Sequence, residues 1–329
     1  MTAVIGRMLA GMLPGMVLFA GAFAADREPS PAIYPVKPIR VLVPTPPGGG
    51  NDIMARLAGQ KMNEAWGQPI VIDNRPGAGG IIAMELVARA ASDGYTLLLG
   101  TTNLTVLPDV TRVGYDPVRD FSPVALMATS ANILLVHPSV EAKSVQELLA
   151  LARARPGQLN YGSGSVASST HLAAELLNLM AHVKITHIPY KGAAPALTDL
   201  MAGQIQLMFS NPAASMPHVR SGKLRAIAVT SVKRLPELPE LPTVSESGLA
   251  GYEASTWWGL LAPNRTPTNI VAKLNSAISG AVTAGDVKGR ITALGAQPAG
   301  GGPGVLAAHI KNEISKWSRV IKETGIRLD

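Results

Sequence analysis

The chain has 329 residues, 47% hydrophobic, 16% charged and 4% aromatic, which excludes global disorder and leaves room for two buried cores. It has no cysteine, which excludes disulfides, thiolate nucleophiles and cysteine metal sites. Its 29 basic and 22 acidic residues give a net charge of +7, yet the basic ones are scattered without dense runs or interleaved aromatics, so no nucleic-acid surface is expected.

The first predicted segment is a leader. Arg7 gives a basic start, residues 8–24 are nearly all apolar, and Ala22-Phe23-Ala24 has the small-x-small form of a cleavage site. Residues 1–25 therefore read as an export signal cut near Ala24/Ala25, which places the mature chain in the periplasm. No later run suggests a membrane span.

Residues 39–43 read as a buried strand, 44–50 as a sharp loop and 52–66 as a helix with Ile53, Leu57 and Met62 on one face. A strand at 69–72, a glycine-rich loop at 74–80 and a helix at 81–91 repeat the unit. Asp93-Gly94 then turns the chain into a strand at 95–99. This rhythm predicts a parallel sheet covered by helices. Such sheets gather ligand sites beyond the carboxyl ends of their strands, so the non-helical patches 44–50, 74–80 and 101–103 are expected side by side.

Residues 109–123 read as a long connection. Strands are expected at 124–127, 132–136, 185–188, 206–209 and 224–229, with another formed as residues 157–161 leave a turn. Helices are expected at 145–154, 169–181 and 192–201, and a short one ends near Gly222. A strand at 257–262, a helix at 267–284, a glycine-rich turn at 295–304 and a helix at 305–322 complete the chain. The opening rhythm recurs in the middle, which argues for two α/β lobes, 34–130 with 251–329 and 131–250, each a mostly parallel sheet flanked by helices.

The candidate site residues sit at strand–helix junctions. Pro47, Gly48, Gly49, Asn51 and Asp52 form the first group, where main-chain N–H groups and a helix N-terminus can face an anion and Asp52 can cap the helix. Arg75, Pro76, Gly77, Ala78 and Gly79 repeat the arrangement, with Arg75 either clamping a carboxylate or pairing at the surface. Thr102 follows the third strand. In the second half Ser163, Ser165, Ser168, Ser169 and His171 place small donors and acceptors before a helix, where Ser169 or Thr170 serves equally as an N-cap and His171 as a packed or capping ring. Ser210 closes the strand at 206–209. Nucleotide fingerprints, HExxH spacing and a GxSxG elbow are missing, so no cofactor, metal or catalytic residue is expected.

Several motifs follow one another in a specific order: Tyr34-Pro35 with Lys37-Pro38-Ile39, Val43-Pro44 with Pro47-Gly48-Gly49, and Asn74-Arg75-Pro76-Gly77-Ala78-Gly79-Gly80. Asp93-Gly94-Tyr95-Thr96-Leu97, Tyr161-Gly162-Ser163 with His171-Leu172, and Pro189-Tyr190-Lys191-Gly192 continue it. Over residues 34–304 this order resembles the periplasmic solute-binding proteins of tripartite tricarboxylate transporters. The resemblance implies a two-lobed periplasmic binding protein with a hinged, type II-like cleft and no enzymatic activity. Its lobes would close over a small organic anion and present it to membrane permease subunits, or alternatively to a membrane sensor. The resemblance also implies that a ligand carboxylate is held by main-chain groups of the first two glycine loops, opposite the 163–171 region and the loop after strand 206–209. The chain departs from the family's usual form at Val166 and Ala167, which add bulk where the far end of a ligand is expected. It departs again at Gln206 and Ser210, where an acid is frequent, and its loss favours a neutral or dicarboxylate ligand over an amine.

Overall fold

The computed structural model describes residues 34–328, so the expected leader lies outside the described residues. The chain opens with β1 (Ile39–Val43), α1 (Gly50–Trp66), β2 (Ile70–Asn74), a short 3-10 turn (Ala78–Gly80), α2 (Ile81–Ala88) and β3 (Thr96–Thr101). β1 pairs in parallel with both β2 and β3, because α1 and α2 carry the chain back to the same sheet end each time.

The patch at 101–103 is a strand end running straight into a helix rather than a loop, since α3 (Thr102–Val110) begins there. Pro108 hides this helix from a sequence reading. It has no N–H for the Leu104 carbonyl, and the Tyr115 hydroxyl donates to that carbonyl instead at 3.3 Å.

β4 (Phe121–Ser130) and β5 (Ile133–Val136) are separated by Ala131 and Asn132, and here the chain passes from one sheet to the other. Then follow α4 (Val145–Ala154), β6 (Asn160–Ser163), α5 (Ser169–Ala181), β7 (Thr186–Pro189), α6 (Ala193–Met201), β8 (Leu207–Ser210), α7 (Pro212–Arg220) and β9 (Arg225–Val229). β10 (Thr256–Pro263) returns to the first sheet, followed by α8 (Thr268–Thr283), α9 (Gly285–Ala293), β11 (Gln297–Pro298) and α10 (Pro303–Thr324).

The sheets run β11-β4-β10-β3-β1-β2 and β7-β6-β8-β5-β9. The two-lobed α/β fold stands, but the expectation of mostly parallel sheets is corrected to mixed ones. β10 is antiparallel to β3 and β4, β11 to β4, and β5 to β8 and β9. These pairings involve the strands that cross between sheets, which arrive without the covering helix a parallel neighbour requires.

Side chains along β10 alternate between two cores: Trp257 packs in the one that includes α10, Trp258 in the one that includes α1. At the crossing, buried Thr230 ties three segments together. Its hydroxyl accepts from the Asn132 N–H at 2.8 Å and donates to the Ala254 carbonyl at 2.9 Å. Its own N–H donates to the Asn132 carbonyl at 2.9 Å, and its carbonyl accepts from the Ala254 N–H at 3.0 Å.

Candidate functional site

A cavity of about 690 Å³ opens between the sheets. One wall carries Thr45, Asn51, Gly79, Thr102 and Asn103. The facing wall is the run from Ser165 to Ser169 with Pro189, Tyr190 and Lys191, and Thr256 and Leu328 close the remaining sides. α1, α3 and α5 all start at this cavity, so unpaired N–H groups and the positive ends of three helix dipoles are turned toward it. Among the described lining residues there is no Asp or Glu, and Lys191 is the one charged side chain. The chemistry of the walls therefore favours an anion and opposes an ammonium group.

Individual side chains sharpen that reading. The Trp258 indole N–H donates to Asn51 Oδ1 at 2.6 Å, which fixes the carboxamide and leaves the donor-only Nδ2 as its unengaged end. Thr45 Oγ1 and Thr102 Oγ1 are buried without a protein partner, and a hydrogen-bonding solute would satisfy them.

Of the residues singled out in the sequence, Asn51, Gly79, Thr102, Ser165, Ser168 and Ser169 line the cavity. Pro47, Gly48, Gly49, Arg75, Pro76, Gly77 and Ala78 lie in the exposed turns after β1 and β2 and are not among its lining residues. Arg75 is engaged elsewhere: its Nε donates to Asp73 Oδ1 at 2.9 Å, and Arg40 pairs with the same carboxylate. Asp52 falls within the first turn of α1, which begins at Gly50 rather than at Asp52. Its carboxylate reaches back to accept from the Gly48 N–H at 3.0 Å and from Arg56 Nε–H at 2.9 Å. The Arg56 hydrogen bond is the main reason its carboxyl stays below the usual range, against the opposing effect of burial.

Ser163, His171 and Ser210 are buried and are not among the lining residues; Ser163 and His171 stand behind them, bonded to Ser165 and Ala167. The Ser163 hydroxyl donates to the Ser165 carbonyl at 2.9 Å and lies 2.7 Å from His187 Nε2. Because its single proton is used on the carbonyl, His187 must donate at Nε2 and cannot serve as a base toward Ser163. The His171 ring stacks on His187 at 3.8 Å between centroids, and Nδ1 of His171 accepts from the Ala167 N–H at 2.9 Å. Burial, with a smaller effect from His187, pushes His171 down to about 3, and burial pushes His187 down to about 4, so both are neutral at ordinary pH.

Asn103, Tyr190, Lys191, Thr256 and Leu328 were not singled out as site residues in the sequence. Tyr190-Lys191-Gly192 does carry the strand–glycine–helix signal of the first two loops, with Gly192 at φ 120°. Thr256 and Leu328 carry no local signal, since long-range crossings bring them here.

The sequence profile described as "Tripartite tricarboxylate transporter family receptor" matches residues 54–326. The chain belongs to this family. Protein BugT of Bordetella pertussis is 36% identical to it over 301 residues, 90% of this chain and 91% of that protein. A solved R. palustris protein with adipate shares 40% identity and a TM-score of 0.76, covering 89% of this chain and 99% of that one. MatC from Rhodopseudomonas palustris with bound malate shares 36% identity at a TM-score of 0.71, covering 88% and 100%. Membership makes the chain a solute-binding receptor and not an enzyme, in keeping with the committed proton of Ser163.

Proposed function

We propose that the chain is an extracytoplasmic receptor that binds a small carboxylate-bearing organic solute between its lobes and delivers it to a tripartite tricarboxylate-type permease. In this reading residues 1–25 are removed on export to the periplasm, and 34–130 with 251–329 form one lobe and 131–250 the other. The observation that carries the reading is the cavity itself, fed by three helix N-termini and free of acidic side chains among its described lining residues. The relatives solved with adipate and with malate support a carboxylate as the group held there. Hinged closure would then make the bound form the one offered to the permease.

A thermal-shift screen of the mature protein against small carboxylates and matched amines tests this. At a hundred times its Kd a ligand adds about 2.7 kcal/mol of stability, so a carboxylate should raise the melt with concentration while amines leave it flat. A melt that answers to no carboxylate, or equally to amines, would sink the proposal.

A further inference from the structure

Ser165, Val166, Ala167, Ser168 and Ser169 form a continuous wall of the cavity, yet only the last of them belongs to a helix or strand. Something other than a sheet ladder must hold that wall in shape. The turn's own bonds, from the Ser168 N–H and hydroxyl to the Ser165 carbonyl at 3.3 and 2.7 Å, supply part of the answer, and the residues behind it supply the rest. Ala167 has a left-handed backbone, φ 57°, and its N–H is turned away from the strand pattern into the ring of His171. Ser163 Oγ holds the Ser165 carbonyl and is itself held by His187. The two imidazoles lie face to face with their planes 12° apart, and the Tyr161 ring lies beside the pair, its centroid 4.9 Å from that of His187 and 6.1 Å from that of His171. The Tyr161 hydroxyl in turn donates to Glu175 on α5, which fixes the ring that flanks the pair.

These contacts also settle the tautomers. His171 accepts at Nδ1 and His187 donates at Nε2, so each neutral ring carries its proton on Nε2.

We propose that the stacked His171 and His187 are positioning residues for solute: neither touches it, but together they set the shape of the 165–169 wall through Ala167 and Ser163. This rests on the receptor reading above for its consequence, though the wall-holding itself can be measured without any solute. Loss of the Nδ1 acceptor frees the Ala167 N–H and lets the left-handed residue relax, which moves Ser165 and Ser168 off the cavity.

The test uses the mature protein and three variants. In His171→Asn the carboxamide oxygen replaces Nδ1, in His171→Gln the oxygen sits where Nε2 was, and in His171→Leu no acceptor remains. Amide exchange at Ala167 should accelerate at least tenfold in the Leu and Gln variants and stay near the native rate in the Asn variant. Calorimetry with adipate and malate as probes should show the same order, with affinity down at least tenfold for Leu and Gln and within threefold for Asn. Nitrogen NMR of the native protein at neutral pH should find Nδ1 of His171 unprotonated. Should the Leu variant fail to fold, the Gln variant and the native spectrum decide alone. Unchanged Ala167 exchange on losing the acceptor, or a protonated Nδ1, overturns the positioning role. Equal losses in Asn and Gln that follow the melting temperature overturn it too. If neither probe binds the native protein while exchange behaves as described, the wall is held as proposed and the solute class is what fails.

Discussion

Protonating His171 at Nδ1 would set a second donor against the Ala167 N–H, and protonating His187 would add a charge to a ring already pressed on its neighbour. Burial opposes both events. An unfolded histidine titrates near 6.5, whereas these two are held down to about 3 and about 4 in the fold. Between those limits the unfolded chain binds more protons than the native one, so the stability they contribute is present above pH 6.5 and is lost as pH falls. The slope is about 1.4 kcal/mol per pH unit for each ring while it lasts. Glu175 acts in the opposite direction: burial raises its carboxyl, so its contribution is present at low pH and lost as pH rises through the raised value. Urea melts from pH 7 to pH 4.5 should therefore show falling stability in the native protein and a shallower fall in His171→Asn. Equal slopes in the two proteins would contradict the burial argument.

At the scale of elements, the first two glycine turns look alike in sequence but have different physical constraints. Gly79 lines the cavity at φ 68°, and a Cβ there would sit 3.2 Å from Leu107 Cδ2. Gly49 caps α1 with φ −82° and ψ 172°, and a Cβ there would meet nothing within 4 Å. Gly79→Val should thus strain the backbone and weaken carboxylate binding by about tenfold or more, read by calorimetry. Gly49→Ala should change stability by no more than about 0.5 kcal/mol in a urea melt. A Gly79→Val protein that binds normally would remove that turn from the site.

Elements with strong local signals were legible in the sequence. α4 and α5 occupy the expected residues because a serine N-cap opens each and buried leucines recur at helical spacing. α3 was masked by Pro108, and α9 by its polar, twice-glycine sequence, in which Val287 and Ile291 alone are buried. The candidate site was legible where a strand runs through a glycine or small-residue turn into a helix, as at Asn51, Gly79 and Ser165 to Ser169. It was not legible at Thr256 or Leu328, whose positions depend on tertiary crossings rather than on their neighbours. The antiparallel strands escaped for the same reason, because strand direction after a crossing is a property of the whole path.

For the molecule as a whole, the passage between sheets matters more than any single wall. Thr230 joins Asn132 and Ala254 with one hydroxyl, so the segments entering β5, leaving β9 and approaching β10 meet at that side chain. Thr230→Val keeps the volume and deletes the hydroxyl, leaving a buried N–H and a carbonyl short of a partner. Stability should fall by about 2–4 kcal/mol, seen as a lower urea midpoint with unchanged slope. A shift below about 0.5 kcal/mol would mean that the main-chain bonds suffice.

The terminal helix raises a separate matter of motion. α10 packs against α3, which flanks the first sheet, and α5, which flanks the second, and its Leu306, Ile310 and Trp317 share one apolar cluster with residues of both. A rotation of one lobe against the other must therefore drag that strip sideways across at least one partner, adding shear to whatever bending the crossing allows. α10 thus lies along helices of both sheets, so any change of angle between them has to slide past it.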